Sequence, residues 1–199
     1  MKDWTGNSKT IYSTLGASNH TDKERAENDY YATDPDAINY LLLEGKAKLS
    51  HNLWEVACGE GHLSKRLSEF GYDVKSTDLI YRGFGVGGVD FLSTYEPFNG
   101  DIITNPPYKY AREFIEHSLE LIPEGNKVFM FLKLQFLEGI KRRSLYDRKE
   151  LKTVYVSRDR INCAKNGRFQ DLTTRSAAAY AWFEFQKGYN GKPTIEWIN

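Results

Sequence analysis

The sequence predicts an α/β domain built around a nucleotide-type turn, and three observations carry that expectation. First, the apolar run Asn52-Leu53-Trp54-Glu55-Val56-Ala57 breaks at Cys58-Gly59-Glu60-Gly61 and passes into an amphipathic segment, His62 to Phe70. Strand, Gly-x-Gly, helix is the turn with which such domains approach phosphates and nucleosides. Second, Tyr72 to Asp78 reads as the next strand and ends in an acid, 19 residues after Gly59. An acid at that place can accept from both hydroxyls of a ribose. Third, Asp101-Ile102-Ile103-Thr104 follows the turn residues Asn99-Gly100 and runs into Asn105-Pro106-Pro107-Tyr108. A buried strand ending in two prolines reads as a rigid loop.

Length and composition frame the rest. At 199 residues the chain holds one substantial domain. Its 27 basic and 27 acidic residues cancel, but their distribution is uneven. Met1 to Leu132 carries 13 basic against 20 acidic residues; Lys133 to Arg168 carries 11 against 4. A basic segment on an acidic chain points to a polyanion partner. Its candidate contacts are Lys133, Lys141, Arg142, Arg143, Arg158, Arg160, Lys165 and Arg168. Two cysteines and four dispersed histidines offer neither a disulfide framework nor a metal cluster. No apolar run is long enough for a membrane span and no signal-peptide pattern opens the chain, so the expected setting is the reduced cytoplasm, without membrane or metal.

In chain order, residues 1–28 are polar and read as an N-terminal arm, leaving 29–199 as a single domain. Asp34 suits a helix N-cap with Pro35 at the first helical position, before the apolar spacing of Asp36 to Glu44. After the glycine turn, Gly71 closes the helix. Residues 80–90 hold four glycines and leave no room for a full crossover helix. Asp90-Phe91 then either packs on an adenine or ends a short strand. Lys109 to Ile122 is amphipathic, and Lys127 to Leu134 is a buried strand behind Pro123-Glu124-Gly125. Gln135 to Arg148 reads as loop and helix, Thr153 to Val156 as a strand, and Ala177 to Phe185 as the last strand. Residues 188–199 read as a tail with Trp197 and Ile198 packed, and about 135–176 as a small basic recognition insert.

The proline loop has a chemistry of its own. Each proline fixes its φ and pushes the residue before it towards extended backbone. Proline also lacks an N–H, so nearby carbonyl oxygens are open to other donors. An Asn side-chain oxygen and a proline carbonyl beside an aromatic face suit a planar group bearing –NH2.

The ordered set Glu55-x-Ala57-Cys58-Gly59-x-Gly61, Asp78, Asp90-Phe91 and Asn105-Pro106-Pro107-Tyr108 resembles the class I S-adenosylmethionine-dependent methyltransferases. Within them it resembles the adenine-N6 methyltransferases, above all small DNA methyltransferases of bacteriophages and prophages, with Tyr30-Tyr31-Ala32-Thr33 upstream and Trp182 on the last strand. The resemblance spans about residues 30–186. It implies a Rossmann-like, mainly parallel, seven-stranded sheet flanked by helices. It also implies S-adenosyl-L-methionine as cofactor and DNA as partner, either a duplex with a flipped base or a single strand. Glu55, Ala57, Cys58, Gly59 and Gly61 would line the methionine half; Asp78 and Leu79 would meet the ribose, and Asp90 and Phe91 the adenine. Tyr31 and Thr33 match an upstream cofactor motif of aromatic and Thr-Pro, although here Asp34 separates Thr33 from Pro35. Asn105, Pro106, Pro107 and Tyr108 match the catalytic loop.

The implied mechanism is physically coherent. An aromatic amine is a poor nucleophile because its lone pair is delocalised. Acceptance of its two N–H groups by Asn105 and Pro106 frees that lone pair for in-line attack, so orientation and fixed dipoles do the catalysis. Tyr108 would stack on a base drawn out of the helix. The same loop suits amino groups of RNA bases and glutamine amides in proteins. A non-catalytic nucleic-acid-binding protein that keeps the fold is a further alternative. A nicotinamide enzyme fits less well, because Ser64 stands where its third glycine would be.

Overall fold

The computed structural model describes residues 31–165 and 178–199. Seven strands form the main sheet: β2 (Asn52–Glu55), β3 (Asp73–Ser76), β4 (Asp101–Thr104), β5 (Lys127–Lys133), β6 (Leu151–Ser157), β8 (Tyr180–Gln186) and β9 (Thr194–Ile198). They lie in the order β3-β2-β4-β5-β8-β6-β9. Neighbours are parallel except at β8, which runs against both β5 and β6. A second, two-stranded sheet pairs β1 (Tyr31–Thr33) with β7 (Cys163–Lys165).

Strand periodicity divides the core into two layers. Ile102, Val128, Met130, Leu132, Ala181, Phe183 and Phe185 face one side. There they meet Ala111, Phe114, Ile115 and Leu119 of helix α3 (Ala111–Leu121) and Leu145 of α4 (Arg143–Asp147). Leu53, Ile103, Phe129, Phe131 and Trp182 face the other side. They pack on Ala37, Ile38 and Leu41 of the α1 segment (Asp36–Asn39, continued as a π turn over Tyr40–Glu44) and on Leu63 and Leu67 of α2 (His62–Glu69). The continuous apolar strands follow from this burial on both faces. Truncating Phe131 or Phe183, both fully buried, would cost about 3–5 kcal/mol. Trp182 contributes more than packing, because its indole N–H donates to the Ala37 carbonyl at 2.9 Å and ties α1 to the sheet.

Several ends behave as local chemistry requires. The Asp34 carboxylate accepts the Asp36 N–H at 3.0 Å, so the expected cap is present with Pro35 in helical geometry. Gly71 stops α2 with φ +90°. The 80–90 connection contains no helix; Thr77 and Val86 form a single parallel bridge along the outer edge of β3.

Three expectations need correction. Residues 188–199 are not merely a packed tail: Thr194–Ile198 adds edge strand β9, with Ile198 buried but Trp197 58% exposed. Thr194 to Trp197 are all exposed and only Ile198 is covered, as suits a strand at the sheet's edge. The range expected as a small basic insert, 135–176, contributes to the sheet itself, since its β6 lies between β8 and β9. The chain before β6 packs Phe136 and Leu145 into the core. Finally, Tyr108–Tyr110 forms a 3-10 turn ahead of α3, since Pro107 leaves extended backbone at ψ 115°. The proposed arm, residues 1–28, lies outside the described residues.

Candidate functional site

The strand order creates the site. From β2 the chain moves outward to β3, then returns to the other side of β2 to form β4. The connections on either side of that reversal leave in opposite directions and open a crevice at the carboxyl ends of β2 and β4. A cavity of about 640 Å³ occupies it. Its walls include Thr33, Glu55, Ala57, Cys58, Asp78, Leu79, Asp90, Phe91 and the whole Asn105–Tyr108 loop. Two segments that are 47 residues apart in sequence, at Cys58 and Asn105, thus face one space.

At the glycine turn, the chain uses its glycines differently from the expectation. Gly59, at φ +55°, donates its N–H to Asp78 Oδ2 at 2.8 Å. Gly61, at φ +79°, does not line the cavity; a Cβ there would lie 2.2 Å from the Phe84 ring. Its missing side chain makes room for Phe84 rather than for a ligand. Glu55 is buried at the cavity floor and accepts from both the backbone N–H (2.9 Å) and the hydroxyl of Ser64. It thereby satisfies a donor in the first turn of α2. Burial pushes the Glu55 carboxyl up to about 8; the Ser64 hydrogen bonds oppose this and neighbouring Asp78 adds to it.

Asp78 is held rigidly, with Oδ2 on Gly59 and Oδ1 accepting the Ile80 N–H at 2.9 Å. Each carboxylate oxygen keeps a second lone pair for a ligand hydroxyl. Leu79 beside it is 62% exposed on the cavity wall, a surface for a flat apolar group. Asp90 instead caps a 3-10 turn (Phe91–Ser93), accepting from the Leu92 N–H at 3.1 Å and the Ser93 hydroxyl at 2.8 Å. Phe91 is a core side chain, edge-on to Trp54 with centroids 5.6 Å apart, whose rim reaches the cavity.

On the opposite wall, Pro106 is buried and Asn105, Pro107 and Tyr108 are half-buried. The Pro107 carbonyl accepts the Tyr110 N–H at 2.8 Å and so belongs to the 3-10 turn. Tyr31 and Thr33 come to this end of the sheet through β1, whose residue Thr33 lines the cavity. For Tyr31 the structure describes the backbone pairing with Lys165.

The described basic residues make different local contacts. Lys133 ends β5, with its ammonium 5.7 Å from the Tyr108 ring centroid. The Lys141 carbonyl accepts from Arg112, at the start of α3. Arg142 stacks on Phe136 at 4.5 Å and bonds the Glu138 carbonyl. Arg143 is well exposed beside Asp147. Arg158 is tied to Asn199 after β6, and Arg160 follows it. Arg168 lies outside the described residues. The sequence reading missed His62, Ile80, Arg82, Val89, Lys109, Tyr110 and Phe114, all on the cavity wall. Lys109 and Tyr110 adjoin the proline loop, and that adjacency was the available signal. Among the described residues no group of His, Cys, Asp and Glu could hold a metal ion, and no helix is long and apolar enough to cross a membrane.

Solved structures share this architecture. One, assigned as an RNA methyltransferase from Pyrococcus horikoshii, superposes with TM-score 0.57 at 13% identity, over 92% of this chain and 99% of its own. A class I S-adenosylmethionine-dependent methyltransferase assignment from Listeria monocytogenes gives 0.58 at 14% identity, over 95% and 71%. A type I restriction-enzyme modification subunit from Vibrio vulnificus gives 0.59 at 11% identity; it covers 95% of this chain, which spans 50% of that subunit. No protein-family model and no curated protein matches the sequence. The sheet order and these likenesses define the fold as the Rossmann-like fold of class I methyltransferases.

Proposed function

We propose that this protein is an S-adenosylmethionine-dependent methyltransferase acting on an exocyclic amino group, and specifically on N6 of adenine in DNA. One observation carries the reading: the Asn105–Tyr108 loop and the Glu55–Cys58/Asp78 wall share a single cavity.

The wall suits the cofactor. Asp78 retains lone pairs for ribose hydroxyls, and Leu79 offers apolar surface for an adenine. Glu55 is a buried carboxyl whose ionisation a cationic ligand would favour, which fits an ammonium or sulfonium nearby. Gly59 contributes a turn held in place by Asp78. When bound, S-adenosylmethionine supplies an electrophilic methyl carbon on a sulfonium sulfur.

The opposite wall orients the amine. The Asn105 side-chain oxygen and the Pro106 carbonyl accept its two N–H groups, localising the nitrogen lone pair away from the ring. The two prolines hold those acceptors before the amine arrives, so little reorganisation is needed. Tyr108 offers its ring face to the base, a contact of roughly 1–3 kcal/mol. Lys133, Lys141 and Arg143 provide cations for phosphates, which set register without reading sequence. DNA is favoured over other carriers of –NH2 by the resemblance of the Tyr30-Tyr31-Ala32-Thr33 segment and the Trp182 strand to DNA methyltransferases.

Radiolabelled methyl incorporation from the cofactor into DNA, RNA and protein tests the reading. The expected result is N6-methyladenine in hydrolysed DNA, lost in Asn105→Ala. Label confined to RNA or to glutamine replaces the substrate assignment, and no label in any of them removes the enzyme.

A further inference from the structure

Tyr108 lines the cavity, and its hydroxyl is directed at Cys163. That hydroxyl sits 3.9 Å from the Cys163 sulfur. Cys163 belongs to β7 and stands opposite Thr33 of β1 in the small antiparallel pair. Tyr180, the first residue of β8, closes the cluster. Its ring is tilted 34° to Tyr108 with centroids 6.3 Å apart, and it stacks on Phe131 at 5.2 Å. Burial pushes the Cys163 thiol up to about 11, while the hydrogen bond with Tyr108 pulls the other way. The Tyr108 phenol is raised well above its ordinary value, first by burial and then by Cys163 and Tyr180.

We propose that Cys163, with Tyr180 packed alongside, is a positioning residue that anchors the Tyr108 hydroxyl and so sets the angle at which the ring meets the target base. The role rests on the amino-methyltransferase reading given above.

Three features support it. The backbone at Tyr108 opens a 3-10 turn directly after two prolines, which fixes the main chain but leaves χ1 and χ2 of the side chain to be set by contacts. Those contacts come from elements distant in sequence, 55 residues away for Cys163. The hydroxyl is therefore spent on the anchor, and the target meets the ring rather than the oxygen. A phenylalanine would stack equally well on a base, so the oxygen matters through Cys163. Lys133, 5.7 Å from the ring centroid, places a cation on the same ring and adds to the order of the pocket mouth.

The second consequence concerns the small sheet. The β1·β7 pair brings Thr33 to the cavity wall and Cys163 to the catalytic loop in the same register step. The upstream segment and Tyr108 are thus linked through the β1·β7 pair and the Tyr108–Cys163 contact.

The test uses the full chain with Cys163→Ala, Cys163→Ser, Tyr108→Phe and the Tyr108→Phe/Cys163→Ala double variant. Cys163→Ala is expected to raise KM for DNA about three- to tenfold, the worth of one modest hydrogen bond, with cofactor Kd by calorimetry unchanged. Cys163→Ser, which restores a donor and acceptor, should recover most of the loss. In the Tyr108→Phe background the alanine change should have no further effect on KM. A readout independent of catalysis is the N-ethylmaleimide labelling rate at Cys163, mapped by mass spectrometry, which should rise in Tyr108→Phe. Additive KM effects, or a labelling rate unchanged by Tyr108→Phe, overturn the proposal. Faster labelling with no methyl transfer to any substrate overturns the methyltransferase reading and the positioning role together, while leaving the contact itself in place.

Discussion

Asp78 Oδ2 accepts the Gly59 N–H at 2.8 Å, so the acid that ends β3 also holds the glycine turn that ends β2. One side chain shapes the cavity and offers lone pairs to its ligand. Asp78→Ala removes both contributions. We expect cofactor affinity to fall at least about tenfold and stability by about 1–3 kcal/mol, the cost of stranding backbone donors. Asp78→Asn, which keeps one acceptor oxygen, should lie between the two. Calorimetry and thermal melts check this, and an alanine variant with unaltered cofactor Kd would remove Asp78 from the site.

Asn105→Ala should abolish methyl transfer while cofactor binding stays within about twofold, because the residue acts on the amine and not on the cofactor wall. Asn105→Asp keeps an acceptor and should retain partial activity. A loss of one acceptor aimed at developing charge is worth roughly 10²–10³ in kcat. Single-turnover assays with all three proteins decide it.

Glu55 makes stability pH-dependent in a direction opposite to most carboxylates. Its folded value, about 8, lies above the ordinary 4.5, so between those limits the folded state holds a proton that the unfolded state has released. Stability should therefore fall as pH rises from about 5 to 8, by on the order of a few kcal/mol for this group. Glu55→Gln, which keeps an acceptor for Ser64, should flatten that profile. A wild-type melting profile already flat over this range would contradict the burial argument.

The two adjacent arginines should separate. Arg143, 82% exposed at its side chain, is free to meet a phosphate once it leaves Asp147. Arg143→Glu should weaken DNA binding and reduce the salt slope by about one, with no change in melting temperature. Arg142 lies on Phe136, so Arg142→Glu should chiefly destabilise the fold. Filter binding at several salt concentrations, paired with melts, distinguishes the two.

Gly61→Ala tests the packing role of that glycine. A positive φ costs about 1 kcal/mol for a residue with a Cβ, and the clash with Phe84 adds to it. The variant should lose about 2–3 kcal/mol, with part recovered by Phe84→Leu in the same chain. Recovery of cofactor affinity without recovery of stability would argue that Gly61 faces the ligand after all.

Local chemistry was enough to read much of this molecule. Buried runs such as Ile102-Ile103 and Lys127 to Lys133 announced their strands because both faces of a covered sheet are apolar. Asp34-Pro35 announced a helix start, and Cys58 before the glycine turn, Asp78 and the proline loop announced the crevice walls, because special backbone geometry demands special residues. What tertiary structure alone decided are relationships between distant segments. The Gly61 side-chain vacancy serves Phe84, 23 residues away. Asp90 caps its own turn, and Arg142 packs on an aromatic ring rather than standing free. Strand β9 and the β1·β7 pair carry no strong period, since short edge strands gain their order from a partner. The same reason places Cys163 on the Tyr108 hydroxyl: a hydrogen bond across 55 residues depends on how the sheet stacks, and no pattern within either segment encodes it.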